Sequence, residues 1–121
     1  MKIPGFTERE NEFADLLVTL GMKKTVAVTF ACLVDVPCAR SCEIERGTGL
    51  RQPEVSVAIH HLIDQGWVTY TEECPKRPGP PIKVYRVAKP VSDILWDFGN
   101  KKMEEMKNVL EKVNKLKSYR Q

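Results

Sequence analysis

The 121-residue chain has no long apolar run. Its longest, Val26 to Val36, is interrupted by Thr29 and Asp35 and is too short to cross a bilayer. No apolar stretch follows Met1 and Lys2, so nothing reads as a secretory leader, and a cytoplasmic chain is the expectation. That compartment disfavours stable disulfides among Cys32, Cys38, Cys42 and Cys74. Close cysteine pairs are scarce as well. Structural zinc sites usually repeat a close pair twice, whereas Cys38 and Cys42 form one pair with a helix-like spacing. Cys74 and the neighbouring His60 and His61 could in principle complete a metal or thiol-redox site, but Cys32 sits in an apolar segment that reads as core. The default expectation is no metal, no cofactor and buried or incidental thiols. The chain also lacks a glycine-rich phosphate loop and any nucleophile, base and orienting-acid set, so enzymatic activity is not expected.

Net charge is only +3, which says little about a partner, but its distribution is uneven. Residues 1–74 hold 7 Lys or Arg against 11 Asp or Glu, and residues 75–121 hold 12 against 5, or −4 followed by +7. An acidic front and a basic rear suit an oriented electrostatic footprint. The plainer reading of the tail is a lysine-rich surface helix. The length suits one modest core.

From the N-terminus, Thr7 and Glu10 have the spacing of a capping box, and Phe13, Leu16, Leu17 and Leu20 then form a helical stripe that Gly21 ends. Lys24 to about Val36 is apolar on nearly every side, which predicts a helix buried between others. The organising stretch is Arg40 to Trp67. Ser41 is a candidate cap for a short amphipathic helix carrying Cys42, Ile44 and Glu45. A Thr48-Gly49-Leu50 corner follows, with Leu50 expected as a buried plug. A second helix starts at Gln52 or Pro53 and buries Val55, Ile59 and Leu62, with Ala58 and Ile63 at the stripe's edges. Arg51, Gln52, Pro53, Glu54, Ser56, Val57 and His60 are left for its N-terminal end and outer side, either as a solvated face or as a face that meets base edges.

Trp67 to Thr71 and Ile82 to Val87 are rich in strand formers, and the prolines and glycine between them make a loop with Lys76 and Arg77 at its tip. Lys83, Arg86 and Lys89 add to the positive charge of this hairpin. Pro90 ends the second strand. A helical pattern then runs from Val91 to about Ser118. Ile94, Leu95 and Phe98 can return to the preceding domain, while Met106, Val109, Val113 and Leu116 repeat at 3, 4, 3 spacing beside Met103 and Leu110. That seam suits a second copy of the chain, or else a fold-back over the first helix.

The run EIERGTGL, then Val55-Ser56, Leu62 and the closing Gln65-Gly66-Trp67-Val68, resembles the winged helix-turn-helix domain of archaeal and bacterial regulators of the TrmB, MarR and ArsR type. Leu20-Gly21 resembles a helix end of TrmB-like chains. The resemblance implies an α+β, mainly helical fold, with a DNA-binding domain over residues 1–90 and a long dimerisation helix over residues 91–121. It further implies a homodimeric transcription regulator of double-stranded DNA, without membrane attachment. Arg51, Gln52, Pro53, Glu54, Ser56, Val57 and His60 would face the major groove, and Lys76, Arg77 and Lys83 the backbone, with Met106, Val109, Val113 and Leu116 between subunits. The effector, operator and sign of regulation are open. So are two other uses of the fold: a protein-protein adaptor that binds a polypeptide on the same outer face, and a thiol- or metal-responsive repressor.

Overall fold

The first helix begins where a threonine can satisfy the amides that a helix start leaves unpaired. Thr7 Oγ1 accepts from the Glu10 amide at 3.1 Å, and Glu10 Oε1 accepts from the Thr7 amide at 2.9 Å, which is the reciprocal box expected from the spacing. Those hydrogen bonds favour the ionised carboxylate and hold the Glu10 pKa below its ordinary value. In the computed structural model, which describes residues 3 and 5–120, this start opens the order α1 (Glu8–Thr19), α2 (Lys24–Val34), α3 (Ser41–Thr48), α4 (Gln52–Asp64), β1 (Val68–Glu73), β2 (Ile82–Val87) and α5 (Val91–Lys117). A 3-10 turn, Ser118–Arg120, follows α5. The chain forms two compact units, Met1–Lys89 and Pro90–Gln121.

Within the first unit α2 is the central post. Val26, Ala27, Val28, Thr29, Phe30, Ala31 and Leu33 are all buried, as an all-round apolar sequence requires. Helices α1, α3 and α4 pack around it. The Phe30 ring lies between Phe13 at 6.1 Å and Trp67 at 5.1 Å between centroids, joining α1 and the start of the hairpin to the helical core. Ala14, Val28 and Ala31 form a tight cluster on which Phe6, Phe13 and Leu50 rest. Small residues here let α1 approach α2 closely.

Several sequence expectations are corrected. Helix α2 ends at Val34, with Asp35 as its C-cap, two residues earlier than the apolar run suggests. In α1 the inward face is Ala14 and Leu17, with Phe13 half-buried, while Leu16 is 55% exposed and Leu20 43% exposed. An alanine, invisible to a search for large apolar side chains, takes the place assigned to Leu16. Leu50 is half-buried rather than a sealed plug. Cys32 is likewise half-buried; its Sγ lies 3.2 Å from where a Cβ on Gly47 would sit, so a glycine is what lets α3 approach α2 there. Ser41 is the first helical residue of α3, and Arg40 holds the cap position, its amide donating to Glu43 Oε1 at 2.8 Å. The cause is the preceding residue. Ala39 exchanges two backbone hydrogen bonds of 2.8 Å with Tyr85 of β2, which ends the extended stretch at Arg40, so the helix starts at Ser41, one residue earlier than a Ser41 cap would set it.

Strands β1 and β2 pair antiparallel from Val68 opposite Val87 to Glu73 opposite Ile82. The Ala39 bridge adds a one-residue third rung to this hairpin and ties it to the entrance of α3. Trp67 and Ala88 extend the closure by a backbone hydrogen bond of 2.8 Å.

Helix α5, the second unit, has 27 residues. Along it Lys102 pairs with Glu105 at 3.2 Å and lies 5.6 Å from the Phe98 ring centroid. No helix is long and apolar enough to cross a membrane among the described residues.

Candidate nucleic-acid interface

The corner between α3 and α4 depends on Gly49, which caps α3 in the left-handed region with φ of 76° and donates its amide to the Glu45 carbonyl at 2.8 Å. A residue with a Cβ is strained there. Thr48 closes the turn from inside: its buried hydroxyl donates to the Ile44 carbonyl at 2.7 Å and accepts from the Leu50 amide at 3.2 Å. The chain then runs extended through Arg51, the N-cap of α4, and Pro53 lies in the first turn as its missing N–H permits.

Val55, Ala58, Ile59 and Leu62 are the buried stripe of α4, with Ile63 half-buried at its edge, as the periodicity predicts. Successive residues turn by about 100° around a helix, so Pro53, Val57, His60 and Asp64 project from the side opposite that stripe. All four are exposed, Val57 by 61%. Arg51 and Gln52 are exposed at the N-terminal end, and Ser56 is half-buried on the flank. Two of the candidate residues make local bonds. Glu54 Oε1 accepts from the Arg51 amide at 3.0 Å, and His60 Nδ1 lies 2.8 Å from the Ser56 carbonyl oxygen. From Gln52 to Pro75 there is no Lys or Arg. The outer face of α4 is therefore polar and weakly charged, with a valine near its centre.

Positive charge enters with the hairpin. Lys76, Arg77, Lys83, Arg86 and Lys89 fall in residues 74–92, which contain no Asp or Glu. Lys76 and Arg77 are exposed in the connection between β1 and β2. Lys83 and Arg86 have structural contacts within the hairpin. Lys83 Nζ sits 4.8 Å from the Tyr70 ring centroid, Tyr70 lies 6.0 Å from Tyr85, and Arg86 Nη2 donates to Thr71 Oγ1 at 3.0 Å. Glu72 faces Lys83 in the register. These contacts hold Lys83 and Arg86 against the stem, whereas Lys76 and Arg77 are exposed in the connecting loop.

Cys38, Cys42 and Cys74 are exposed. Among the described residues no three His, Cys, Asp or Glu side chains gather closely enough to hold a metal ion. Burial pushes the Cys32 thiol pKa up, the opposite of what a thiolate ligand needs. On α5, Met106, Val109, Val113 and Leu116 are exposed, as are Met103 and Leu110.

The sequence did not point to the Ala39 bridge or to the His60 hydrogen bond. One residue of strand geometry has no periodicity to read, and a histidine four residues after a serine is compatible with many rotamers.

No protein-family profile and no curated protein matches the chain. Solved structures do. TrmBL2, an archaeal chromatin protein whose structure was described for its mode of DNA binding, superposes with a TM-score of 0.63 at 20% identity over 92% of this chain. This chain spans 40% of the TrmBL2 chain. A possible transcriptional regulator from Methanosarcina mazei Go1 gives 0.65 at 11% identity, covering 88% of this chain and 86% of that one. NMB1585, a MarR family regulator from Neisseria meningitidis, gives 0.51 at 13% identity, covering 90% and 85%. At these identities the likeness establishes the fold, a winged helix-turn-helix with a long C-terminal helix.

Proposed function

We propose that this chain is a sequence-specific regulator of transcription that binds double-stranded DNA as a homodimer, without a cofactor and without catalysing a reaction. Helix α4 would enter the major groove with Arg51, Gln52, Pro53, Glu54, Ser56, Val57 and His60 toward the bases, and Lys76, Arg77 and Lys83 of the hairpin would meet phosphates. Met106, Val109, Val113 and Leu116 of α5 would join two copies and so fix the half-site spacing. The observation that carries this reading is the division of labour in the first unit: an exposed, weakly charged outer face on α4, followed by a hairpin that holds Lys76, Arg77, Lys83 and Arg86 against Glu72 and Glu73, with Lys89 just beyond it. A groove reader needs hydrogen-bonding and apolar groups where the bases are, and point charges where the phosphates are. The DNA-related names of the superposing structures agree with it.

A second reading is favoured by the exposed Val57 and the lack of Lys or Arg over residues 52–75, which would also suit a polypeptide partner on α4. Electrophoretic mobility shifts with random duplexes at about 50 and 200 mM salt separate the two, because phosphate neutralisation makes affinity fall steeply over that range. Binding at low salt that weakens at high salt supports the regulator. No binding at either salt leaves the adaptor.

A further inference from the structure

His60 is the hydrogen-bonding side chain at the middle of the outward face of α4, between Pro53 and Asp64 and beside the exposed Val57. Its Nδ1 lies 2.8 Å from the Ser56 carbonyl oxygen. A carbonyl oxygen only accepts hydrogen bonds, so Nδ1 carries the proton in that contact. In a neutral imidazole the other nitrogen is then bare and can only accept. Within the DNA-binding reading, on which this inference rests, we propose that His60 is a specificity-determining residue whose Nε2 accepts a hydrogen bond from an exocyclic amino group in the major groove.

The chemistry narrows the target. In the major groove adenine N6 and cytosine N4 donate hydrogen bonds, whereas guanine offers the acceptors N7 and O6, and thymine the acceptor O4 and a methyl group. An imidazole fixed as an acceptor therefore favours adenine or cytosine at the position it meets. The Ser56 contact supplies the selection in a second way. It sets the ring orientation before DNA arrives, so less side-chain freedom is lost on binding. A solvent-exposed histidine with a free ring would present either nitrogen, and would pair equally well with a donor or an acceptor.

The test uses the full chain at pH 8. Sequences bound from a random duplex pool are selected with the native protein, His60→Leu and His60→Gln. Leucine has no acceptor, and the glutamine amide oxygen restores one. Retained circular dichroism and thermal midpoint establish that the variants fold, since position 60 is exposed. The expected result is one base pair at which the native protein is selective, His60→Leu is not, and His60→Gln recovers part of the preference; that pair holds one adenine or one cytosine, whose amino group is then tested directly. Duplexes with purine in place of that adenine, or 2-pyrimidinone in place of that cytosine, then distinguish the two bases. Removing the amino group should weaken native binding by roughly two- to tenfold and leave His60→Leu unaffected. Native binding that is unchanged when the amino group of the His60-dependent pair is removed overturns the inference. An identical selected sequence for native protein and His60→Leu overturns it as well, while leaving the DNA-binding reading standing. If the native protein binds no duplex at low salt, both fall together.

Discussion

Thr29 is fully buried on α2, and its Oγ1 has no hydrogen-bond partner among the described residues. A hydroxyl removed from water without a replacement partner costs free energy, and exchanging it for a methyl group of similar shape removes that cost. Thr29→Val is expected to raise stability by about 1 kcal/mol, seen as a higher urea midpoint at unchanged slope. A lower midpoint would mean that the hydroxyl has a partner in solution, such as an internal water. Individual residues were also where sequence reasoning was least complete. Thr7 and Glu10 were legible because a capping box is a local pattern, whereas Leu16 and Ala14 exchanged roles because residue size is a poor guide to burial when two helices pack closely.

At the scale of elements, periodicity resolved the helices and the hairpin. The stripe of α4 is buried as predicted because Val55, Ile59 and Leu62 recur on one face over about two turns. The start of α3 was displaced by a hydrogen-bonded pairing with Tyr85, which is 46 positions further along the chain than Ala39. No local signal encodes such a contact. Gly49 gives a test of the corner itself. A Cβ there would meet nothing within 4 Å, so Gly49→Ala changes the backbone energy without a clash. The left-handed conformation should cost about 1 to 2 kcal/mol, with Gly49→Asn less affected. Thermal or urea unfolding measures both. Equal midpoints for alanine and glycine would mean the corner relaxes to another conformation. The candidate site divides in the same way between elements. Lys76→Ala in the hairpin loop should weaken binding to all duplexes and lower the salt slope by about one counterion, whereas Gln52→Ala on α4 should relax preference at one base position by about 1 to 3 kcal/mol. A uniform loss from both substitutions would refute that assignment.

At the scale of the whole molecule, the candidate seam of α5 would govern assembly under the proposed function. Met106, Val109, Val113 and Leu116 are between 40% and 73% exposed. Burying such side chains is worth roughly 1.5 to 3 kcal/mol each, which a second copy could supply. Val113→Glu with Leu116→Glu should dissociate a dimer while preserving the fold of the first unit, and DNA affinity should fall sharply because each monomer meets a single half-site. Sedimentation velocity decides it: a double variant that remains dimeric, with native affinity, would exclude this face as the interface. The absence of Lys and Arg from residues 52–75 has a further, kinetic consequence under the proposed function. Association is steered by charge, and the charge lies in the hairpin and in the rear of the chain, so the rate of encounter is set there. The outer face of α4 contributes little long-range attraction and acts once contact is made, through bonds that hold only on a matching sequence. Arrival and residence are thereby assigned to different stretches of one polypeptide, and substitutions on α4 should alter how long the protein stays on its operator while leaving the speed with which it finds DNA almost unchanged.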